Sequence, residues 1–289
     1  MKGHHIELSV AEGDSVLYHY TKSNGINGII NNNCFWATKN DFLNDPDEFI
    51  YIRSIIADVC NTRIKDESYR QMFLKDVLED TLIDQISKEK EYFVLCFSTC
   101  RDSITMWSEF GNKTGYNLGL ESASIVKRIE NAADVEYHGF VVYSKAKQRE
   151  LILGIMDEYI TKYFSKSFDE ILELGFNDPN SRIYLEACEI FRQISTVYAM
   201  FFKNEAFSEE QEYRFVFRKN RSTVVYFREK DGFLIPYIKI QLSQEHLPVR
   251  ELVVAPQNHI DLAKKGMEYM LTYKGYDVPV HLSKIKLRY

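Results

Sequence analysis

Six consecutive residues hold the densest chemistry in this chain: Glu209-Glu210-Gln211-Glu212-Tyr213-Arg214. A strand starting at Glu212 places Glu210, Glu212 and Arg214 on one side, with Tyr213, Phe215 and Phe217 on the other. Carboxylate and guanidinium buried together must pair. The row is therefore either a structural ion pair or a catalytic carboxylate that Arg214 or Lys203 keeps ionised. His19 stands between Tyr18 and Tyr20 at the end of a short apolar run. It is either an ordinary strand-edge residue or a donor to a ribose or phosphate, flanked by rings that stack. Phe97-Ser98-Thr99-Cys100 ends a second apolar run with small polar groups. These start a helix or form a floor under a flat ligand. Trp107 sits in a short helical stretch and Tyr116 opens a strand; both are core residues or rings over a ligand. Cys96, mid-strand, reads as a packing thiol.

Other chemistries find no motif. The sequence has no Gly-rich phosphate loop followed by Lys-Ser/Thr, no GxGxxG after a strand, no GxSxG and no HExxH. Asp45, Asp47 and Glu48 could hold a metal ion for a nuclease or nucleotide hydrolase. No Glu-x-Lys strand follows at a useful distance, so they read as a loop and helix start, and no metal is expected.

Elements must position these groups. Ser15–Tyr20 reads as a strand, with Thr21 capping a helix from Lys22 to Asn32. Cys34–Thr38 is a second strand and carries Trp36. Helices follow to about Arg63 and over 65–90, then a buried strand over 91–98. Ser103 caps the Trp107 helix. Strands 115–120 and 135–143 flank a helix over 122–131. The stretch 145–203 shows apolar residues at helical spacing and no strand pattern. Further strands near 213–218, 224–228, 235–241, 251–254, 278–281 and 284–288 surround a helix over 259–273. The expected class is α+β: a mixed, mostly antiparallel sheet, whole or split, with helical insertions. The expected organisation is one elaborated domain over 1–289, with core 1–144 and 204–289 and an insertion over 145–203.

Composition narrows the class. The chain has 289 residues, a net charge of −6, 45% hydrophobic residues, and only 13 Gly and 6 Pro. That scarcity of turn formers argues against disorder, collagen-like repeats and a many-turned sandwich. No basic footprint points to bulk nucleic-acid binding; Lys284, Lys286 and Arg288 read as a solvated strand face. Five cysteines are an odd count without zinc spacing, which argues against a secreted disulfide framework. No signal peptide or membrane-length apolar run occurs, so the cytoplasm is expected.

Six short motifs in order resemble a bacterial family known as domain of unknown function 2971. They are Leu17-Tyr18-His19-Tyr20-Thr21; Phe35-Trp36-Ala37-Thr38 with Leu43-Asn44-Asp45-Pro46-Asp47-Glu48; Cys96-Phe97-Ser98; Met106-Trp107 before Gly115; Phe202-Lys203; and Glu210-Gln211-Glu212-Tyr213-Arg214. Glu109 and Phe207 stand where the family tends to have His and Trp. The order His19, Ser98-Thr99, Glu210-x-Glu212 also resembles ADP-ribosyltransferases. That resemblance implies NAD as substrate, and transferase or NAD glycohydrolase activity in a toxin or phage-defence setting. Glu212 would stabilise an oxocarbenium-like centre. Glu210 would activate the acceptor, and His19 would hold a ribose. Tyr20, Thr21, Trp36, Ser98, Trp107, Tyr116 and Arg214 would complete the NAD site. Two alternatives stay open: a non-catalytic binding module with a protein partner or antitoxin, and a metal-dependent nuclease or nucleotide hydrolase. Oligomeric state has no sequence signal.

Overall fold

The computed structural model describes residues 6, 8–11, 13–45, 49–78, 91–111, 114–230, 232–257 and 259–285. Asp47 and Glu48, the second half of the helix expected over 65–90, and Lys286 and Arg288 lie outside the described residues. The chain divides into two compact units: Met1–Leu8, Asn44–Glu91 and Val142–Ala206; and Ser9–Leu43, Tyr92–Val141 and Phe207–Tyr289.

The first unit is helical among its described residues. Its principal helices are Ile52–Arg63, Glu67–Leu78, Lys145–Gly154, Phe168–Asn177 and Arg182–Ala199. The expected insertion over 145–203 falls within this unit. Apolar residues at helical spacing meet in one cluster, including Ile56, Val59, Ile152, Ile155 and Ile194. Phe73 sits edge-on to Phe168 at 5.3 Å and to Phe191 at 5.1 Å. Ser167 and Glu170 form a reciprocal capping box that starts the fourth helix. Near its end, Gly175 lies under the Tyr184 ring, and an added Cβ would come within 2.3 Å of that ring. The Tyr184 hydroxyl is tied to Asp76 at 2.6 Å, so the ring has little freedom to retreat. Gly175→Ala is expected to cost ~1–3 kcal/mol of stability by overpacking, read as a lower midpoint in urea unfolding.

The second unit holds a ten-stranded sheet: β1 Val16–Lys22, β2 Cys34–Lys39, β3 Tyr92–Ser98, β4 Gly115–Glu121, β5 Val135–Phe140, β6 Glu212–Arg218, β7 Tyr226–Lys230, β8 Phe233–Gln241, β9 Val249–Val254 and β10 Val280–Leu282. All pairs are antiparallel except β9–β10. The class is α+β with a mixed, mostly antiparallel sheet. The sheet branches at β3. One edge of β3 pairs along its length with β6, which carries β5. The opposite edge is shared: β2 takes Phe93 and Val94, and β1 takes Ser98. From there β1 leads to β4, β9 and β10, and β2 leads to β8 and β7.

One face of the sheet buries Leu17, Phe35, Phe93, Phe97, Leu118, Phe215, Ile238 and Leu252. Ile26, Ile30, Ile125, Ile129, Met267 and Leu271, from helices Ser23–Asn32, Ser122–Ala132 and Ile260–Tyr273, complete that core. The expected Thr21 cap is corrected here. Thr21 belongs to β1, opposite Tyr116, and the helix begins after Lys22 without a side-chain cap. Pairing along β4 as far as Lys22–Gly115 holds the chain extended past the point where its local pattern favours a turn.

Candidate functional site

The register places Tyr18, Ser98 and Glu212 side by side on β1, β3 and β6, and Cys96 opposite Arg214. Directly paired residues project to the same face. The row Tyr18–Ser98–Glu212 with Cys96 and Arg214 therefore lies on the face opposite Phe97, Tyr213 and Phe215. This is the division expected for Glu212 and Arg214 against Tyr213, Phe215 and Phe217.

Within the row, Arg214 Nε donates to Glu212 Oε2 at 2.5 Å, and the two side chains are 1% and 6% exposed. Glu210 is also buried; it ends the short 3-10 turn before β6. Gln211, between them, takes a left-handed φ of 45°. The end of β3 holds this corner. Ser98 Oγ donates to the Glu210 carbonyl at 2.6 Å and accepts from the Cys100 N–H at 3.0 Å. Thr99 bonds Gln211 through its backbone N–H and through its hydroxyl. Ser98 thus uses its hydroxyl to fasten two chain segments.

The neighbouring strands are tied in the same way. Tyr18 donates to Glu251 at 2.8 Å, and Arg101 binds both oxygens of Glu251 at 2.8 Å. The Arg101 guanidinium holds the Glu251 carboxyl below its ordinary value. The Tyr20 hydroxyl donates to the Cys100 carbonyl and accepts the Ser103 N–H. Its ring meets Trp107 edge-on at 4.7 Å. Trp107 is buried and donates its indole N–H to Asp102 at 2.7 Å. Asp102 in turn accepts from Ser283 and from the Lys284 N–H. Burial raises the Tyr20 phenol well above its ordinary value.

His19 lies on the other face. Its ring is packed against Phe35 and Phe97, at 5.3 and 5.4 Å, and its Nδ1–H donates to the Cys96 carbonyl at 3.1 Å. This is the place where β1 parts from β3 beyond the Tyr18–Ser98 pair. Burial lowers its pKa to about 4, helped by the positive charge of Arg228. Thr21 and Tyr116 alternate to the same side as His19, and Tyr116 packs on the large core. Trp36 is 44% exposed and stands on β2 among residues of β7 and β8.

Of the expected site residues, the structure gathers Tyr20, Ser98, Trp107, Glu210, Glu212 and Arg214 on or beside one face. It places His19, Thr21 and Tyr116 on the other, and Trp36 apart. Sequence reading missed Tyr18, Arg101 and Glu251; only strand register brings them to the row. No group of three or more His, Cys, Asp or Glu among the described residues could hold a metal ion.

Residues 106–215 match the family model described as Protein of unknown function (DUF2971). The match supports the DUF2971 family. It spans Trp107, Tyr116, Glu210, Glu212 and Arg214, whereas His19, Tyr20, Thr21, Trp36 and Ser98 precede it. No curated protein and no solved structure matches the chain, and the ADP-ribosyltransferase resemblance has no support from these comparisons. No helix of the described residues is long and apolar enough to cross a membrane.

Proposed function

We propose that this protein is a non-catalytic binding module in which the Ser98–Glu212–Arg214 row is structural. The observation that carries this reading is the buried ion pair. The Glu212 carboxylate meets Arg214 at 2.5 Å, on the face opposite His19. A carboxylate that stabilises a developing cation needs a free oxygen facing the reacting bond, with its partner groups converging on the same space. Here the hydroxyls of Tyr18, Tyr20 and Ser98 and the indole of Trp107 already have protein partners. Ser98 and Thr99 fasten the end of β3 to the turn before β6, and Tyr20 fastens β1 to the segment after β3.

Incubation with NAD labelled in the nicotinamide ring tests this directly. The expected result is no nicotinamide release above background. Glu212→Gln should then change the melting temperature and leave ligand binding as in the wild type. Release of nicotinamide that Glu212→Gln abolishes in a folded protein would reject the reading and restore the NAD-consuming one.

A further inference from the structure

The arm of the sheet formed by β2, β8 and β7 has a second polar face. Phe35 and Ala37 of β2 and Ile238 and Ile240 of β8 point into the core. Alternation sends Trp36 and Thr38 the other way, beside Lys239 and Tyr237, and Tyr226 of β7 is paired with Tyr237. Trp36 stacks on Tyr237 at 4.4 Å with 28° between planes, and Tyr226 stacks on Tyr237 at 5.7 Å. The indole is thus held in a fixed plane while remaining 44% exposed.

Two cations sit among these rings. Arg228 lies 5.8 Å from the Trp36 ring and 5.9 Å from Tyr237, and its Nη2 donates to Thr38 Oγ1 at 2.9 Å. Lys239 Nζ lies 4.2 Å from the Tyr226 ring. Neither makes an ion pair among the described residues. Burial pushes the Arg228 guanidinium down from its ordinary value. A guanidinium partly withdrawn from water with no carboxylate opposite it is costly to keep unless an anion completes it. Its planar fork suits a phosphate.

We propose that Trp36, Arg228, Thr38 and Lys239 form a binding site for a single nucleoside 5′-phosphate. The base stacks on Trp36 and the phosphate meets the Arg228 guanidinium, with Lys239 as second cation. The ligand is one nucleotide unit and not a strand. A strand needs a continuing basic track, and the chain carries a net charge of −6. The site is independent of whether Glu212 is catalytic.

The protein has only two tryptophans, and the other, Trp107, is buried. Both indoles emit, and the red-shifted part of the emission, from the exposed Trp36, is the part that a ligand on this face quenches. Titration of the full chain with AMP, GMP, CMP and UMP is expected to give saturable quenching with at least one of them. The matching nucleoside should bind about tenfold or more weakly, having lost the charge-assisted bonds to phosphate. Arg228→Ala should cost a similar factor, and Arg228→Lys less, in proteins whose far-ultraviolet spectra match the wild type. Trp36→Ala, followed by calorimetry because the reporter is gone, should weaken binding by about tenfold or more through lost stacking. Absence of saturable quenching by all four nucleotides to about 5 mM would overturn the proposal. So would equal binding of nucleotide and nucleoside, an unchanged affinity in folded Arg228→Ala, or binding only of an oligonucleotide. Nicotinamide release would reject the binding-module reading and leave this site standing; failed quenching would remove this site and leave that reading in place.

Discussion

Arg214→Ala is expected to lower the free energy of unfolding by ~3–5 kcal/mol, the cost of removing one member of a buried charge pair. The size follows from burial and distance together. Arg214 is 1% exposed and Glu212 6%, and Nε and Oε2 are 2.5 Å apart. Removing the guanidinium takes from the Glu212 carboxylate a charge partner at hydrogen-bond distance that offsets part of its loss of water. Removing both charges is a different experiment. Glu212→Gln/Arg214→Met removes both charges of this pair together, and apolar or neutral groups of similar size can replace a buried pair at little cost. The double variant should therefore recover most of the loss, coming within about 1–2 kcal/mol of the wild type. Urea unfolding at neutral pH measures both. Equal destabilisation in the single and double variants would mean that the pair's charges are not the source of the effect. The binding-module reading, in which the row is structural, would then lose its main support.

The sequence pattern showed much of this row in advance, and the reason is period two. Alternation along Glu212–Phe217 separated charges from aromatics, and the register with β3 agrees residue by residue. The order His19, Ser98, Glu212 also selected three strands that are neighbours in the sheet, β1, β3 and β6. Adjacency was legible; the face was not. Tyr18, not His19, stands opposite Ser98, and a one-residue offset moves a side chain from one face to the other. Nothing local to Leu17–Thr21 fixes that offset. The pairing of three strands, β1, β2 and β6, with β3 does, and it depends on residues some eighty and two hundred positions away.

The Trp36 platform shows the same limit from the other side. Phe35 and Ala37 flank Trp36, so alternation already separates the indole from the core. Its partners Arg228, Tyr237 and Lys239 come from a hairpin about two hundred residues later, joined to β2 only by strand pairing. Within that hairpin, Tyr226 to Lys239 reads as an ordinary edge pair with polar and aromatic residues mixed. Its chemistry exists only once β8 lies against β2. Thr21 is a smaller case: a good cap by type, overruled because β4 offers it a pairing partner.

His19 gives the second large effect, and its sign is set by burial. The neutral imidazole is packed between Phe35 and Phe97 and has a pKa near 4, against 6.5 for an ordinary histidine. A proton therefore binds the unfolded chain more readily than the folded one. Above pH 6.5 both states are neutral and the group costs nothing. As the pH falls from 6.5 toward 4 the unfolded state takes up the proton first and stability drains away, reaching a total loss of about 3 kcal/mol below pH 4. Between pH 7 and 4.5 the share is about 2 kcal/mol. Carboxylates also titrate near the lower end, so the comparison is with His19→Gln, which keeps a donor for the Cys96 carbonyl and cannot take up a proton there. Urea unfolding of both proteins at the two pH values should show the wild type losing about 2 kcal/mol more than the variant. Parallel losses would mean that His19 is already protonated, or already exposed, in the folded protein. The Arg228 charge contributes to the low value, so Arg228→Ala should raise the folded-state pKa toward 6.5 and shrink the loss, while its onset near pH 6.5 stays where the unfolded chain sets it. A phosphate bound at Arg228 should act in the same direction, by partly neutralising that charge. The pH dependence of unfolding with and without AMP thus connects the half-buried histidine on one face to the proposed nucleotide site on the other.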